Sequence, residues 1–503
     1  MASELLDTVD PRGFAREAVR DGPVPVPVRV FQALGMIPIA LKEFAFTTFV
    51  LLFYNQVLGM PASLASAALF VALVVDSISD PLVGSYSDNF RHRLGRRHPL
   101  MLVAALPLSI AIWCLFSPPP WQGSALFVWL LTFTVATRLC FTFFAVPWNA
   151  LFSELSDDYE ERSQLLAYRF AVGWIVGISF VYVTYGVIFV ATEEYPQGQL
   201  NSEAYGSFAL LLALLIFAGA SATTWLTRGQ VRYLRQPTGA RIPFDLRLAW
   251  RDVRLALRNR DLRILFFAVL ASAVVGGTNQ ALQIYMSTYF WGFSGEHLQF
   301  MALAAFGGLF AFLFVSPLQK RFDKKYLLVG AAVVIMLVTA MPVTLRLLEL
   351  APLNGSPELI ALIVGTAIIN SFLGTLALIM FASMVADAVD LQEYETGLRQ
   401  EGMFNSVMTF SGKLTTGAGV VIAGVLLDVV IGLAPNTTLA SIDPKQVVDI
   451  GILDAYVVPA FNLVWLFLAL QYGISRQRHA QIRSALAARA EVDSGSSPVR
   501  GAP

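Results

Sequence analysis

Charge is scarce in this 503-residue chain: 14% of its residues are Asp, Glu, Lys or Arg, against 56% hydrophobic, and the mean hydropathy is +0.63. A water-soluble globular chain of this size does not carry that balance, so a soluble enzyme or binding module is excluded and an integral membrane protein is expected. Cysteine is nearly absent. Cys114 and Cys140 both lie in apolar runs, where a thiol behaves as a small hydrophobe, so neither a disulfide framework nor a Cys metal site is expected. Histidine is as rare: His92, His98, His297 and His479 fall at loops or segment ends, and neither HExxH nor GxSxG occurs. A membrane enzyme needs a nucleophile and base, or metal ligands, at membrane depth. The chain is therefore read as a non-enzyme without a cofactor, with a channel or receptor still open. The stretch before Val28 has no short apolar core followed by a small-residue cleavage site, so no removable signal peptide is expected and the first spanning helix serves as targeting signal.

Long apolar runs make up most of the rest. Segments of about twenty residues or more, enough to cross a bilayer, stand near 32–57, 64–86, 99–117, 124–152, 167–190, 206–227, 264–290, 297–316, 326–348, 358–386, 403–433 and 453–474. They are too long and too uniformly apolar for barrel strands, and open sheet edges do not survive in lipid. The fold class is an all-α membrane protein of twelve helices.

The loops alternate in charge. After the even-numbered segments come Arg91, Arg93, Arg96 and Arg97, then Arg162, then the run from Arg228 to Arg263, then Lys320, Arg321, Lys324 and Lys325, then Arg399; Arg346 and Lys445 alone break the pattern. The positive-inside rule then puts both termini in the cytoplasm of a multi-pass plasma (inner) membrane protein. The run 228–263 holds ten Arg against three Asp and divides the chain into an N-terminal segment (1–30), a six-helix half (31–227), a basic linker (228–263), a second half (264–475) and a tail (476–503) expected to be disordered. Around Phe244–Arg258 the linker reads as an amphipathic helix resting on anionic headgroups rather than a nucleic-acid site. Pro81–Arg97 has a degraded counterpart in Pro317–Lys325, each placing an Asp among basic residues, as a duplicated transporter fold would give.

Two carboxylates interrupt the second segment. Asp76 and Asp80 are four residues apart and share a helix face, where like charges repel unless a cation or proton lies between them. Each costs roughly 2.5 to 3.5 kcal/mol at a bilayer centre, which marks an ion or substrate pathway.

Gly84-Ser-Tyr-Ser-Asp88 followed by Gly95-Arg96-Arg97 resembles the loop signature of the major facilitator superfamily. Lys42-Glu43, Asp76-x-x-x-Asp80-Pro81, Val146-Pro147-Trp148-Asn149, Glu161-Arg162 to Arg169, Asp387-Ala-Val-Asp390 with Glu393, and Lys413 are similar to the glycoside-pentoside-hexuronide:cation symporters of that superfamily. The resemblance implies a major facilitator fold and a cation site at Asp76 and Asp80, with Thr142 as a further oxygen ligand. Ser79 stands where the family has Asn, leaving Na⁺ and H⁺ both open as coupling ion. It also implies substrate binding by Glu43, Lys42, Trp148, Asn149, Arg169 and Lys413. Lys413 is open to a structural ion pair with the aspartates, which does not exclude function.

Ala145 replaces a second substrate-binding Asp of the sugar carriers, among Phe141, Phe143, Phe144 and Trp148. A glycoside or related sugar is the expected substrate, with a lysophospholipid or other amphiphile as the alternative. Asn279, Gln280, Gln283 and Tyr285 add polarity in the seventh segment. Asp88, Arg96, Arg97, Arg162, Asp387, Asp390, Glu393 and Arg399 are expected as a cytoplasmic gate of ion pairs between the halves. The expected function is cation-coupled symport by alternating access, by a monomer in the lipid bilayer.

Overall fold

The computed structural model describes residues 14–15, 18, 20, 22–234, 236–237, 260–396, 401–474 and 476–495. Among them, twelve helices are long and apolar enough to cross a membrane: α1 Val26–Val57, α2 Ala62–Asn89, α3 His98–Phe116, α4 Gly123–Leu155, α5 Glu160–Ile188, α6 Ala204–Tyr233, α7 Arg260–Phe290, α8 Gly295–Arg321, α9 Lys324–Leu347, α10 Pro357–Tyr394, α11 Ser411–Ile431 and α12 Pro444–Leu470. Each overlaps one apolar run of the sequence. The odd Lys445 lies in the first turn of α12, which Asp443 starts earlier than the apolar run, by a capping box with Gln446 and Pro444 at the first position. The only β-structure among the described residues is a two-residue antiparallel pairing, Phe14–Ala15 with Gln236–Pro237.

The tail departs from expectation. Arg476–Gly495 is a thirteenth helix, α13, packed on α10. Ala, Arg, Gln and Leu favour helix, and Ile482 and Leu486 dock on the apolar cluster at the ends of α7, α9, α10 and α12. The Phe244–Arg258 stretch lies outside the described residues.

Packing repeats across the chain: α2 with α4, α3 with α4 and α3 with α6 have counterparts in α8 with α10, α9 with α10 and α9 with α12. The π-helical turns that end α1 and α5 recur at the ends of α7 and α11. The faint loop repeat also has a structural form. Arg97, before α3, pairs with Glu154 at the end of α4, and Lys324, opening α9, pairs with Asp387 near the end of α10.

The two six-helix units meet along α2–α11 and α5–α8. On the side away from the termini, one apolar cluster contains residues of both units, from Phe49, Tyr54 and Phe208 to Tyr285, Phe290 and Leu453. On the terminal side the clusters are separate: Met101, Phe144 and Trp148, with Leu151 and Leu165 nearby, in the first unit; Leu262, Met380 and Trp465 in the second. The molecule is thus sealed on the far side and split on the terminal side.

Polar contacts complete the seal. The Asp428 carboxylate on α11 accepts from the Ala62 and Ser63 backbone N–H groups (3.0 and 2.7 Å) and the Ser63 hydroxyl (2.5 Å), so one unit caps the first turn of a helix of the other. Tyr285 donates to Asn55 (3.0 Å), and Gln56 Oε1 accepts from Tyr289 and from the Thr437 backbone (3.0 Å each). Gly424 on α11 lies so close to α2 that an added Cβ would fall 2.1 Å from Ser66 Oγ.

Asp428→Ala removes a charged cap and is expected to lower stability by about 1 kcal/mol, read as a fall in melting temperature in detergent. An unchanged melting temperature would show that the clasp carries no net stability.

Candidate functional site

The first turns of the α2–α11 seam are closed by Asp428; its middle carries the charges. Asp76 and Asp80 share one face of α2, opposite Arg138 and Thr142 of α4 and Lys413 of α11. Lys413 Nζ donates to Asp76 Oδ2 at 3.0 Å and to Asp80 Oδ2 at 2.5 Å. Arg138 Nη1 reaches Asp76 Oδ2 at 3.3 Å. Thr142 Oγ1 lies 2.9 Å from Asp76 Oδ1 and 3.1 Å from Asp80 Oδ1; its one hydrogen goes to one carboxylate at a time, leaving a lone-pair oxygen between them. Ser79 is at the edge: its hydroxyl donates to the Asp76 carbonyl at 3.0 Å and sits 3.5 Å from Thr142 Oγ1. Pro81 follows at once and has no N–H, so the Ser77 carbonyl lacks its helical donor.

Depth differs across the pair. The Asp76 side chain is 4% exposed, those of Asp80 and Lys413 28% and 30%, so Asp76 is the sequestered member and Asp80 the one facing the split.

On α1, buried Lys42 pairs with Glu43 at 2.8 Å, and its ammonium sits 4.4 Å from the centre of the Phe141 ring, a favourable cation–π distance. Glu43 is 60% exposed. Three carboxylates, Asp76, Asp80 and Glu43, are matched in number by Lys42, Arg138 and Lys413.

A second group lies toward the terminal side. Arg169 of α5 donates to Asn149 Oδ1 at 2.7 Å and stacks 3.4 Å from the Trp148 ring centre. Trp148 is corrected here: it is 1% exposed, donates its indole N–H to the Gln32 carbonyl at 2.8 Å and packs on Gly35. It is a platform that holds Arg169, closed to substrate; Asn149 is the exposed member.

The aromatics of α4 divide similarly. Phe144 is fully buried beside Trp148, and Phe141 supports Lys42. Of the polar groups of the seventh segment, Tyr285 belongs to the far-side seal, whereas Gln280 and Gln283 are exposed.

Among the described residues, the expected gate contains ion pairs within each unit. Glu154 Oε1 accepts from Arg96 (2.8 Å) and Arg97 (2.7 Å), and Arg97 also binds Asp88 (2.5 Å) and the Ser87 hydroxyl (2.7 Å). Arg162 bonds locally to the Ser156 and Ser153 carbonyls and to Asp157. In the second unit Asp387 binds Lys324 (2.6 Å) and His479 (3.3 Å), and Asp390 binds His479 (3.1 Å). Glu393 is in the last turn of α10, and Arg399 lies outside the described residues. Each of the ion pairs named here lies within one unit.

Glu154, Asp428, Asn55, Gln56 and Tyr289 were not singled out from sequence. Glu154 had one signal, a carboxylate closing an otherwise apolar segment.

With this geometry in hand, likeness to known proteins is specific. The MFS/sugar transport protein family matches residues 31–476. The chain belongs to this family. Within it the relatives are of the glycoside-pentoside-hexuronide:cation type, and the protein is a membrane transporter rather than an enzyme. An uncharacterised symporter of Synechocystis is 26% identical, over 88% of this chain and 93% of the relative. The putative glycoside/cation symporter YagG of Escherichia coli is 24% identical, over 83% and 85%. The crystal structure of the nucleoside transporter NupG superposes with a TM-score of 0.57 at 13% identity, over 89% of this chain and 99% of that one, which shows a shared major facilitator fold.

In this transporter, Glu154→Gln leaves two buried guanidinium groups short of a counter-charge. The expected loss is about 3 to 5 kcal/mol, measured as a collapse of melting temperature or folded yield in detergent.

Proposed function

We propose that the protein is a cation-coupled symporter of a glycoside or related sugar, working by alternating access around Asp76, Asp80 and Lys413. One observation carries this reading: the ammonium of Lys413, from one unit, occupies the position between two carboxylates of the other that a coupling cation needs. The names of the relatives supply the coupling cation as a class and the glycoside as substrate class.

The cycle follows from charge. With no coupling cation, Lys413 neutralises the pair and ties α11 to α2. A cation arriving from solution neutralises the carboxylates in its place, so Lys413 withdraws and offers its donors, beside Glu43 and the Asn149–Arg169 pair, to substrate hydroxyls. Sugar hydroxyls need such partners, because a polar group desolvated without one costs about 1 to 3 kcal/mol. A carrier loaded with cation alone has a free ammonium at membrane depth, and reorienting it is unfavourable. That penalty is the coupling. Since the positive-inside rule assigns the terminal side to the cytoplasm, the split opens inward, and uptake runs down the inward ion gradient.

The amphiphile alternative keeps one supporting observation, a largely apolar cleft of about 310 Å³ between α1, α5 and α8, lined by Phe44, Trp174, Ile178 and Met301. It loses another, because Phe144 and Trp148 are core residues.

Purified protein in proteoliposomes is to be tested for uptake of a panel of glycosides and lysophospholipids under an imposed Na⁺ or pH gradient. A glycoside should accumulate only with a gradient, and Asp76→Asn and Asp80→Asn should each abolish that accumulation. Unimpaired gradient-driven uptake in both variants would end the proposal, and accumulation of lysophospholipids alone would transfer it to the amphiphile reading.

A further inference from the structure

We infer that the apolar cleft between α1, α5 and α8 is a subsite for the aglycone of the substrate, the group carried on its anomeric oxygen, and that this group is an aromatic ring seated against Trp174. This rests on the reading of the protein as a glycoside carrier.

The cleft and the polar groups are continuous along two helices. On α5, Arg169, Gly173 and Gly177 follow one another at intervals of four residues and so share a face. Arg169 belongs to the pair with Asn149, and the two glycines line the cleft. On α1, Glu43 lies between Leu41 and Phe44, which line it from the other side. A substrate whose hydroxyls meet Glu43 and the Asn149–Arg169 pair has the cleft as its next neighbour along both helices.

The lining defines what fits there. Among the described residues no charged side chain lines the cleft, and Ser371 brings its single hydroxyl. A second sugar ring would leave its hydroxyls short of partners, at a cost for each one desolvated. The volume of about 310 Å³ is at the low end for small-molecule pockets, which suits one ring rather than a long acyl chain. The walls are rigid and aromatic. Trp174 is half-buried, and its indole lies over Gly308 of α8, where an added Cβ would fall 2.9 Å from Cη2. Its N–H has no hydrogen-bond partner among the described residues, so an apolar face comes with one donor, which an aryl ether oxygen can accept from. The Phe44 ring is held edge-on by Phe180 and Phe49, at centroid distances of 5.8 and 5.5 Å, and Met301 adds a thioether, a favourable neighbour for an aromatic ring.

The full-length protein, in a detergent without a sugar headgroup, is to be titrated with paired methyl and phenyl glycosides of glucose, galactose and xylose and with a lysophospholipid, reading the rise in melting temperature. For the sugar that binds, the phenyl glycoside should bind at least about tenfold more tightly than its methyl partner, the gain expected from burying one ring. A Cβ added at Gly177 meets nothing within 4 Å, so Gly177→Leu projects into the cleft without displacing backbone and should bring the two affinities together. Trp174→Ala should also reduce the phenyl preference. Equal affinities in wild type, or a preference that survives in both variants, would overturn the inference and leave the glycoside reading standing. Binding of the lysophospholipid alone, weakened by Gly177→Leu, would give the cleft to an acyl chain and remove both readings, as would the absence of any response to a glycoside. Should Gly177→Leu fail to fold, Trp174→Ala and the wild-type ratio decide.

Discussion

A carboxylate in the middle of a bilayer has to be neutralised by something, and that requirement organises this molecule. Asp76 is nearly sealed from solvent and meets it with a guanidinium and an ammonium; Glu43 meets it with the lysine next to it in sequence. Lys42 in turn spreads its charge over the Phe141 ring. None of these groups is isolated, as the cost of burying an unpaired charge demands. The arrangement is informative because its bonds are not equivalent. Some lie within a six-helix unit and are fixed; those of Lys413 join two units and are exchangeable.

The rest of the fold determines which bonds exchange. On the far side, a shared apolar cluster, the tyrosine and glutamine network and the Asp428 cap join the units. On the terminal side each unit closes upon itself, with Glu154 gathering Arg96 and Arg97 in one and Asp387 gathering Lys324 and His479 in the other. Buried pairs of this kind break at high cost, so each unit keeps its shape while the seam between them changes. Rigid halves and a weak seam are what rocking around a central site requires.

Much of this was legible in the sequence. Hydropathy found all twelve spans, since each must be apolar for about twenty residues whatever it packs against. Asp76, Asp80, Thr142 and Lys413 stood out, because charge inside an apolar run is conspicuous and the family resemblance linked helices far apart in the chain. What escaped notice depends on tertiary contact. Arg138 is a lone charge inside the fourth apolar run, but nothing in sequence points from position 138 to 76. Asp428 resembles any carboxylate at a segment end, and its role as a cap exists only because Ala62 and Ser63, more than 360 residues earlier, begin a helix beside it. Trp148 sits in a motif that suggested substrate contact, and only packing shows its indole spent on the Gln32 carbonyl. The tail read as solvated because Ala and Arg dominate it; those residues equally suit a helix, and one apolar face with Ile482 suffices to dock it.

The Asp428 clasp has a geometric corollary. Helices α2 and α11 run antiparallel, and α11 holds α2 at two places: Asp428 at Ala62 and Ser63, and Lys413 at Asp76 and Asp80. At about 1.5 Å per residue, the fifteen residues from 413 to 428 and the thirteen from 63 to 76 span roughly equal lengths of about 20 Å. The two helices therefore form a ladder with a charged rung at each end, an acid of α11 at one end and a base of α11 at the other. Rocking about a pivot between such rungs stretches one while it compresses the other. Movement at the middle of the seam can thus reach the opposite face along a single pair of helices, with no need for a moving loop.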